Sequence, residues 1–397
     1  MHSAELLIEL GVVLLALAAL GRLSGLVGLS PIPLYLLAGL ANGSGGLLPL
    51  GPTEEFVRVG AEIGVVLLLF TLGLEYSAPE LLGGLRAGAP AGAVDAVANF
   101  IPGFGAGLLL GWDVRAALVL GGVTWVSSSG VVAKLLSDLG RVGNRETPAI
   151  LAVLVMEDLA MAAFLPLVGS LVGGGGVLSV AGALALAAAA VAGAFWVAFH
   201  YGPALSRLVF SRSDEVLLFS VLGITLTIAG LAERLSVSAA VGAFLVGITL
   251  SGPAADGARA LLGPLRDLFA GVFFVFFGLS VDPSQLVPVL GVALALALAT
   301  VPTKVATGWW AAGRLGVGRA GRIRAGATLV ARGEFSVVLA SLGAGLEKDL
   351  VALAAAYVLA TAITGPVLAR WADPLAIRLA GPVPGVPPNP PPAESPG

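Results

Sequence analysis

Long apolar runs alternate with short polar stretches along the chain, and the runs have the length of membrane-spanning helices. A helix rises about 1.5 Å per residue, so roughly 20 apolar residues cross a bilayer core. On that criterion the sequence predicts thirteen spans, near 6–22, 31–49, 56–74, 87–110, 115–138, 148–170, 177–200, 215–233, 236–252, 265–281, 286–312, 322–345 and 350–371. The connections are too short for a soluble domain. Residues 1–380 are therefore expected to form one transmembrane domain, all-α and polytopic. Gly173 to Gly176 reads as a flexible linker. Residues 381–397, with the run Pro-Pro-Asn-Pro-Pro-Pro, read as a disordered cytoplasmic tail. Met1 to Glu5 carries no Lys or Arg, whereas a cleaved secretory signal begins with positive charge. The first apolar run is expected to remain as a helix.

The positive residues orient these spans. With the N-terminus outside, fourteen arginines between Arg22 and Arg378 fall in cytoplasmic segments, and only Arg58, Arg115, Arg234 and Lys348 fall outside. Lys and Arg favour the cytoplasmic side, so the C-terminus is expected there. The sequence also repeats faintly. Residues from Gly64 (Gly-Val-Val-Leu-Leu-Leu-Phe-Thr-Leu-Gly-Leu-Glu) resemble those from Gly271 (Gly-Val-Phe-Phe-Val-Phe-Phe-Gly-Leu-Ser-Val-Asp), an offset of 271 − 64 = 207 residues. The partners are seven spans apart. An odd separation makes the two copies point oppositely, the inverted repeat found in many secondary transporters.

Composition agrees with a lipid environment: 57% of residues are hydrophobic and 11% charged, where soluble domains carry about 25% charged residues. The 56 glycines let helices approach where no hydrophobic effect drives them together. The chain has no cysteine and two histidines, His2 and His200, both at the edges of apolar runs. Disulfides and thiolate metal sites are excluded, and histidine metal clusters or Ser-His catalysis have no support. Nothing points to an enzyme, a bound cofactor or a nucleic-acid partner.

Charges inside the spans carry the functional signal, because each costs about 2.5–3.5 kcal/mol at mid-membrane and persists where it pairs or works. Glu157 and Asp158 are consecutive at the centre of the sixth span. They point about 100° apart on a helix, so one can face a neighbouring helix and the other a cavity. Lys304 lies in the eleventh span after Pro302; it either pairs with a carboxylate or snorkels toward the cytoplasmic surface. The fifth span holds Thr124 and Ser127, Ser128, Ser129 and Gly130, and the twelfth holds Arg332, Gly333 and Glu334, all at mid-span. Both patterns suit interrupted helices whose freed backbone groups face a cavity. Glu62, Asp95 and Asn99 are lesser candidates, equally explained as structural hydrogen-bond partners. Trp125, Trp309 and Trp310 read as packing or interfacial anchors.

Taken in order, these segments resemble the Kef-type and NapA-like branch of the monovalent cation:proton antiporters. The resemblance is carried by Leu-Phe-Thr-Leu-Gly-Leu-Glu (69–75), Ser-Ser-Ser-Gly-Val-Val-Ala-Lys-Leu-Leu-Ser-Asp (127–138), Val-Leu-Val-Met-Glu-Asp-Leu-Ala (153–160), Ala-Val-Gly-Ala-Phe-Leu-Val-Gly (240–247), Phe-Phe-Val-Phe-Phe-Gly-Leu-Ser-Val-Asp-Pro (273–283) and Arg-Gly-Glu-Phe-Ser (332–336). It implies a thirteen-helix inverted-repeat fold with two crossed, broken helices. It also implies a dimerisation subdomain, a core that moves like an elevator, and a homodimer in the lipid membrane. Asp158 matches the family's ion-binding aspartate and Lys304 the lysine that pairs with the preceding acid. Glu157 departs from the Asp, Asn or Gln that relatives carry there. Kef-type chains usually continue into a cytosolic nucleotide-binding domain; here regulation is expected to be absent or supplied by a separate cytosolic subunit.

The reading that results is exchange of K+ or Na+ for protons across a prokaryotic cell membrane. Asp158 is expected to bind the monovalent cation, with Thr124, Ser127 and Ser128 adding oxygen ligands. Glu157 and Lys304 form a charge pair, and Arg332 and Glu334 support the broken helix. The rivals are a cation channel and an organic-anion symporter of related architecture. Paired acids argue against the latter, since anions are held by positive helix ends and Arg.

Overall fold

A computed structural model describes residues 2–27, 30–42, 54–74, 78–172, 204–234, 239–279 and 281–380, with scattered positions between 181 and 202. Among the described residues the secondary structure is helical, with no strand. The helices are α1 (His2–Val27), α2 (Ile32–Asn42), α3 (Glu54–Gly73), α4 (Ala78–Leu109), α5 (Val114–Trp125), α6 (Ser129–Asp138), α7 (Thr147–Val172), α8 (Asp214–Arg234), α9 (Ala239–Thr249), α10 (Pro253–Leu279), α11 (Leu290–Arg314), α12 (Arg319–Thr328), α13 (Glu334–Leu342) and α14 (Leu350–Ala380). Two short turns, Pro283–Leu286 and Val287–Val289, lead into α11.

Six stretches among the described residues are long and apolar enough to cross a membrane: Gly88–Leu109, Val114–Asp138, Thr147–Gly169, Asp214–Arg234, Pro283–Arg314 and Leu350–Ala376. Gly11–Leu26, Ile32–Asn42 and Val59–Gly73 are shorter apolar helices. The chain is a multi-pass membrane protein. The expected span at 177–200, the linker at 173–176 and the tail at 381–397 lie wholly or largely outside the described residues. The fifth and twelfth expected spans are each two short helices. The fifth breaks at 126–128 and the twelfth at 329–333. Adding the 207-residue repeat offset to Val126 gives Gly333, the last residue of the second break.

The helices pack in two groups. In one, α3 lies against α9 and α10, α2 against α10, and α8 against α9. In the other, α4 packs on α5 and α7, α11 on α12, α4 and α14, and α13 on α5 and α14. Contacts of α14 with α2, of α6 with α3 and of α7 with α9 join the groups. Glycine allows the closest approaches in the first group. A Cβ on Gly39 would strike the Val275 carbonyl, and one on Gly278 the Leu36 carbonyl; Gly73 and Gly247 stand in the same relation to Phe244 and Phe70. The repeat offset carries one contact close to the other, since 39 + 207 = 246 and 278 − 207 = 71. The weak sequence repeat therefore coincides with a repeated packing detail.

Candidate functional site

The two breaks meet. Val126 and Ser128 are extended (φ −73°, ψ 131° and φ −82°, ψ 108°), which frees backbone groups that an unbroken helix would pair. The Ser128 amide donates to the Ala331 carbonyl across 2.8 Å, and the Ser128 hydroxyl caps α6 by accepting from the Val131 amide. Gly333 passes so close to Ser128 that a Cβ there would strike the serine hydroxyl. A side chain at 333 would push the two breaks apart.

Two half-helices end here at their carbonyls and two begin, and the charged side chains follow that polarity. Helix C-termini carry partial negative charge and N-termini partial positive charge. Arg332 is buried. Its Nε donates to the Thr124 carbonyl at the end of α5 (3.0 Å) and its Nη1 to the Val330 carbonyl beyond α12 (2.7 Å). Lys304, from α11, donates to the Trp125 carbonyl, the last of α5, at 3.0 Å. The carboxylates sit at the opposite poles. Glu157 accepts from the Ser127 amide (2.9 Å) and the Ser127 hydroxyl (3.2 Å). Asp158 accepts from the Ser129 hydroxyl (3.0 Å) in the first turn of α6.

Lys304 is wholly buried and lies between two carboxylates. It donates to Glu157 Oε1 and, at 2.7 Å, to Asp95 Oδ1 of α4. Snorkelling is thereby excluded as the account of Lys304 in this structure. Asp95 has no solvent exposure and accepts twice more, from Asn99 Nδ2 (2.9 Å) and Trp125 Nε1 (3.2 Å). Asn99 continues the network by accepting from Thr303 on α11 (2.9 Å). Desolvated charges must be paired and hydrogen-bonded to persist, and this cluster meets that condition.

The residues anticipated from sequence take different places. Glu157, Asp158, Lys304, Ser127, Ser128 and Arg332 come together at the breaks. Thr124 lies beside them, but its hydroxyl donates to the Asn99 and Gly121 carbonyls (2.8 and 3.1 Å), and Ser129 is the serine bonded to Asp158. Glu334 opens α13, and its side chain lies outside the described residues. Glu62 is on an exposed face of α3. Trp309 stacks beneath the Arg322 guanidinium at 4.3 Å, an anchoring role. Asp95 and Trp125, by sequence a lesser candidate and an anchor, join the network at the first break. The signal for Asp95 was its position one turn before Asn99, which places both on one face of α4.

A second ionic cluster lies where α7 begins. Arg324 of α12 donates to both oxygens of Glu146, which is buried, and to Asp373 of α14 (3.2 Å); Arg141 joins Asp373 at 2.8 Å. Burial pushes the Glu146 carboxyl up, but the Arg324 guanidinium and the Asn144 amide outweigh it and hold it below the usual carboxylate range.

Comparison with known proteins places the chain in a family. Residues 12–371 match the family described as sodium/hydrogen exchanger, transmembrane. The K(+)/H(+) antiporter subunit KhtU of Bacillus subtilis (strain 168) is 33% identical over 380 residues, 92% of this chain and 93% of that one. The ammonium/H(+) antiporter subunit AmhT of Alkalihalophilus pseudofirmus is 30% identical, covering 94% and 95%. The high-affinity Na(+)/H(+) antiporter NhaS3 of Synechocystis is 28% identical, covering 89% and 83%. In fold, the sodium proton antiporter MjNhaP1 of Methanocaldococcus jannaschii superposes with a TM-score of 0.72 over 96% of this chain and all of that one, at 19% identity. With a match running almost end to end and charged groups gathered where two helices break, the chain belongs to the transmembrane sodium/hydrogen exchanger family, within the cation:proton antiporters.

Proposed function

We propose that this protein exchanges a monovalent cation, K+ or Na+, for protons across a prokaryotic cell membrane. The observation that carries the reading is Asp158, a buried carboxylate bonded to Ser129 at the junction of two interrupted helices, one residue from Glu157. A deprotonated Asp158 offers a hard oxygen ligand to an alkali cation; a protonated one does not. Cation and proton therefore compete for one group, and that competition couples their fluxes. Glu157 and Lys304 set the charge beside the site, Ser127 and Ser128 supply nearby oxygens, and Arg332 holds the broken ends in place.

The two helix groups support alternating access. The group of α2, α3, α8, α9 and α10 serves as the static, dimerising part, and the group bearing the breaks moves past it as an elevator. The exposed apolar residues Ile8, Val12, Leu15 and Leu26 of α1 suit lipid or a second copy. The N-terminus is placed outside and the C-terminus in the cytoplasm by the arginine bias. The relatives named for potassium, ammonium and sodium make those three cations the ones to test.

The test is exchange by the purified full chain in proteoliposomes with the membrane potential clamped. An internal pH dye reports proton movement after K+, Na+ or NH4+ is added outside. Proton flux driven by at least one cation is expected. Cation flux that proceeds without proton movement would identify a channel and overturn the reading.

A further inference from the structure

Lysine has three N–H donors, and all three on Lys304 are used. Their acceptors are Asp95 Oδ1, the Trp125 carbonyl and Glu157 Oε1. Two of these acceptors are carboxylates, one more than a single ammonium needs for neutrality. Asp95 is itself tied down, with Asn99 on the same oxygen as Lys304 and the Trp125 indole on the other. It accepts three hydrogens and donates none, work that an amide cannot reproduce because its NH2 would face one of those donors.

That clamp has a purpose if Asp158 is a cation site. An ammonium is a compact monovalent cation on a flexible four-carbon stem, and Glu157, which Lys304 already touches, is the residue next to Asp158. Arg332, the other buried cation at the junction, donates through Nε and Nη1 to the Thr124 and Val330 carbonyls, leaves Nη2 without a hydrogen-bond partner among the described residues, and carries a rigid planar fork rather than a compact ammonium. Lys304 is thus the cation able to swing onto Asp158 and stand in for the transported ion. We propose that Asp95 is a positioning residue that pins the Lys304 ammonium to α4 and α5, keeping the protein's own cation out of its transport site. The inference rests on the cation-exchange reading above. Asp95 does not touch the transported ion; it acts through Lys304.

The experiment measures initial cation-driven proton flux in proteoliposomes against K+ and Na+ concentration, at one fixed alkaline pH, for the wild type and three variants. Asp95→Asn loosens the hold on α4 and leaves Lys304 with Glu157 and the Trp125 carbonyl, so the ammonium competes more often and KM should rise by up to about tenfold, the scale of removing one neighbouring opposite charge, with kcat nearly unchanged. Asp95→Glu keeps the charge and should hold KM near the wild-type value. Trp125→Phe keeps the backbone carbonyl and removes only the indole donor to Asp95, so KM should rise in the same direction by a smaller factor. A merely structural role would lower the yield of folded protein or kcat and leave KM in place, and that result overturns the proposal. If Asp95→Asn does not emerge as a single folded species, Trp125→Phe decides: a raised KM supports the clamp and an unchanged KM overturns it. Absence of any cation-driven flux in the wild type would instead defeat the exchange reading, which separates the two failures.

Discussion

Removing the Lys304 ammonium should destabilise this protein more than removing the Glu157 carboxylate beside it. The cluster holds two acids and one base, all buried, so its formal charge is −1. Lys304→Gln takes it to −2 and leaves Asp95 and Glu157 facing each other with no cation between them. Breaking a buried pair in this way costs about 3–5 kcal/mol in water-soluble proteins. Glu157→Gln takes the cluster to zero and leaves an intact Asp95–Lys304 pair. Glu157 accepts on both oxygens, from the Ser127 amide on one and from Lys304 on the other, so the amide NH2 of Gln leaves one buried donor without its partner, a cost of about 1–3 kcal/mol. At about 2 °C per kcal/mol for a large chain, Lys304→Gln should lower the melting temperature by roughly 6–10 °C and Glu157→Gln by about 2–6 °C. The Lys304→Gln/Glu157→Gln double variant, formally −1 again, should recover part of the larger loss. Thermal unfolding of purified protein in one detergent, followed by size-exclusion chromatography, measures all three. Equal losses for the two single variants would refute the reasoning, because they would mean that Asp95 does not share the ammonium.

Asp158→Asn nearly preserves volume and removes the charge that cation and proton share; exchange should vanish while membrane insertion stays normal, and full cation-driven proton flux in it would defeat the assignment. If one carboxylate serves both ions, the cation concentration giving half-maximal flux should fall as pH rises and then level off; a value flat from acid to alkaline pH contradicts direct competition. Arg332→Lys keeps a charge but loses the fork that reaches carbonyls of two half-helices, so it should lower both melting temperature and kcat, and wild-type behaviour in it would remove Arg332 from the break. Glu146→Gln probes the Arg324 cluster. Its carboxyl lies below the usual range, so its contribution is present above the unfolded pKa of about 4.3 and is lost as pH falls through the lower native value. The melting-temperature gap between wild type and Glu146→Gln should therefore be full at neutral pH and close only in strong acid; a gap that closes between pH 8 and 6 would contradict the pairing.

Among the described residues the apolar runs by themselves located the helices, because the bilayer sets the length of a span and the composition of its lipid-facing residues. The cost of a buried charge made Glu157, Asp158, Lys304 and Arg332 conspicuous in the same way. Helix-unfriendly residues in the middle of two runs marked both breaks. What only the tertiary structure decided is who meets whom. Lys304 reaches Glu157, 147 positions away, and Asp95, 209 positions away, and no local pattern records such pairings. Successive residues rotate by about 100° around a helix, and a break resets that phase. Hence Ser129, one residue past the break, reaches Asp158, while Thr124, before it, turns toward α4. Asp95 was visible as a polar residue in an apolar run, but its weight comes from α4 lying against both α5 and α11. That packing brings it to an ammonium that otherwise has one counter-charge, a relation set by the assembled helices rather than by any one of them.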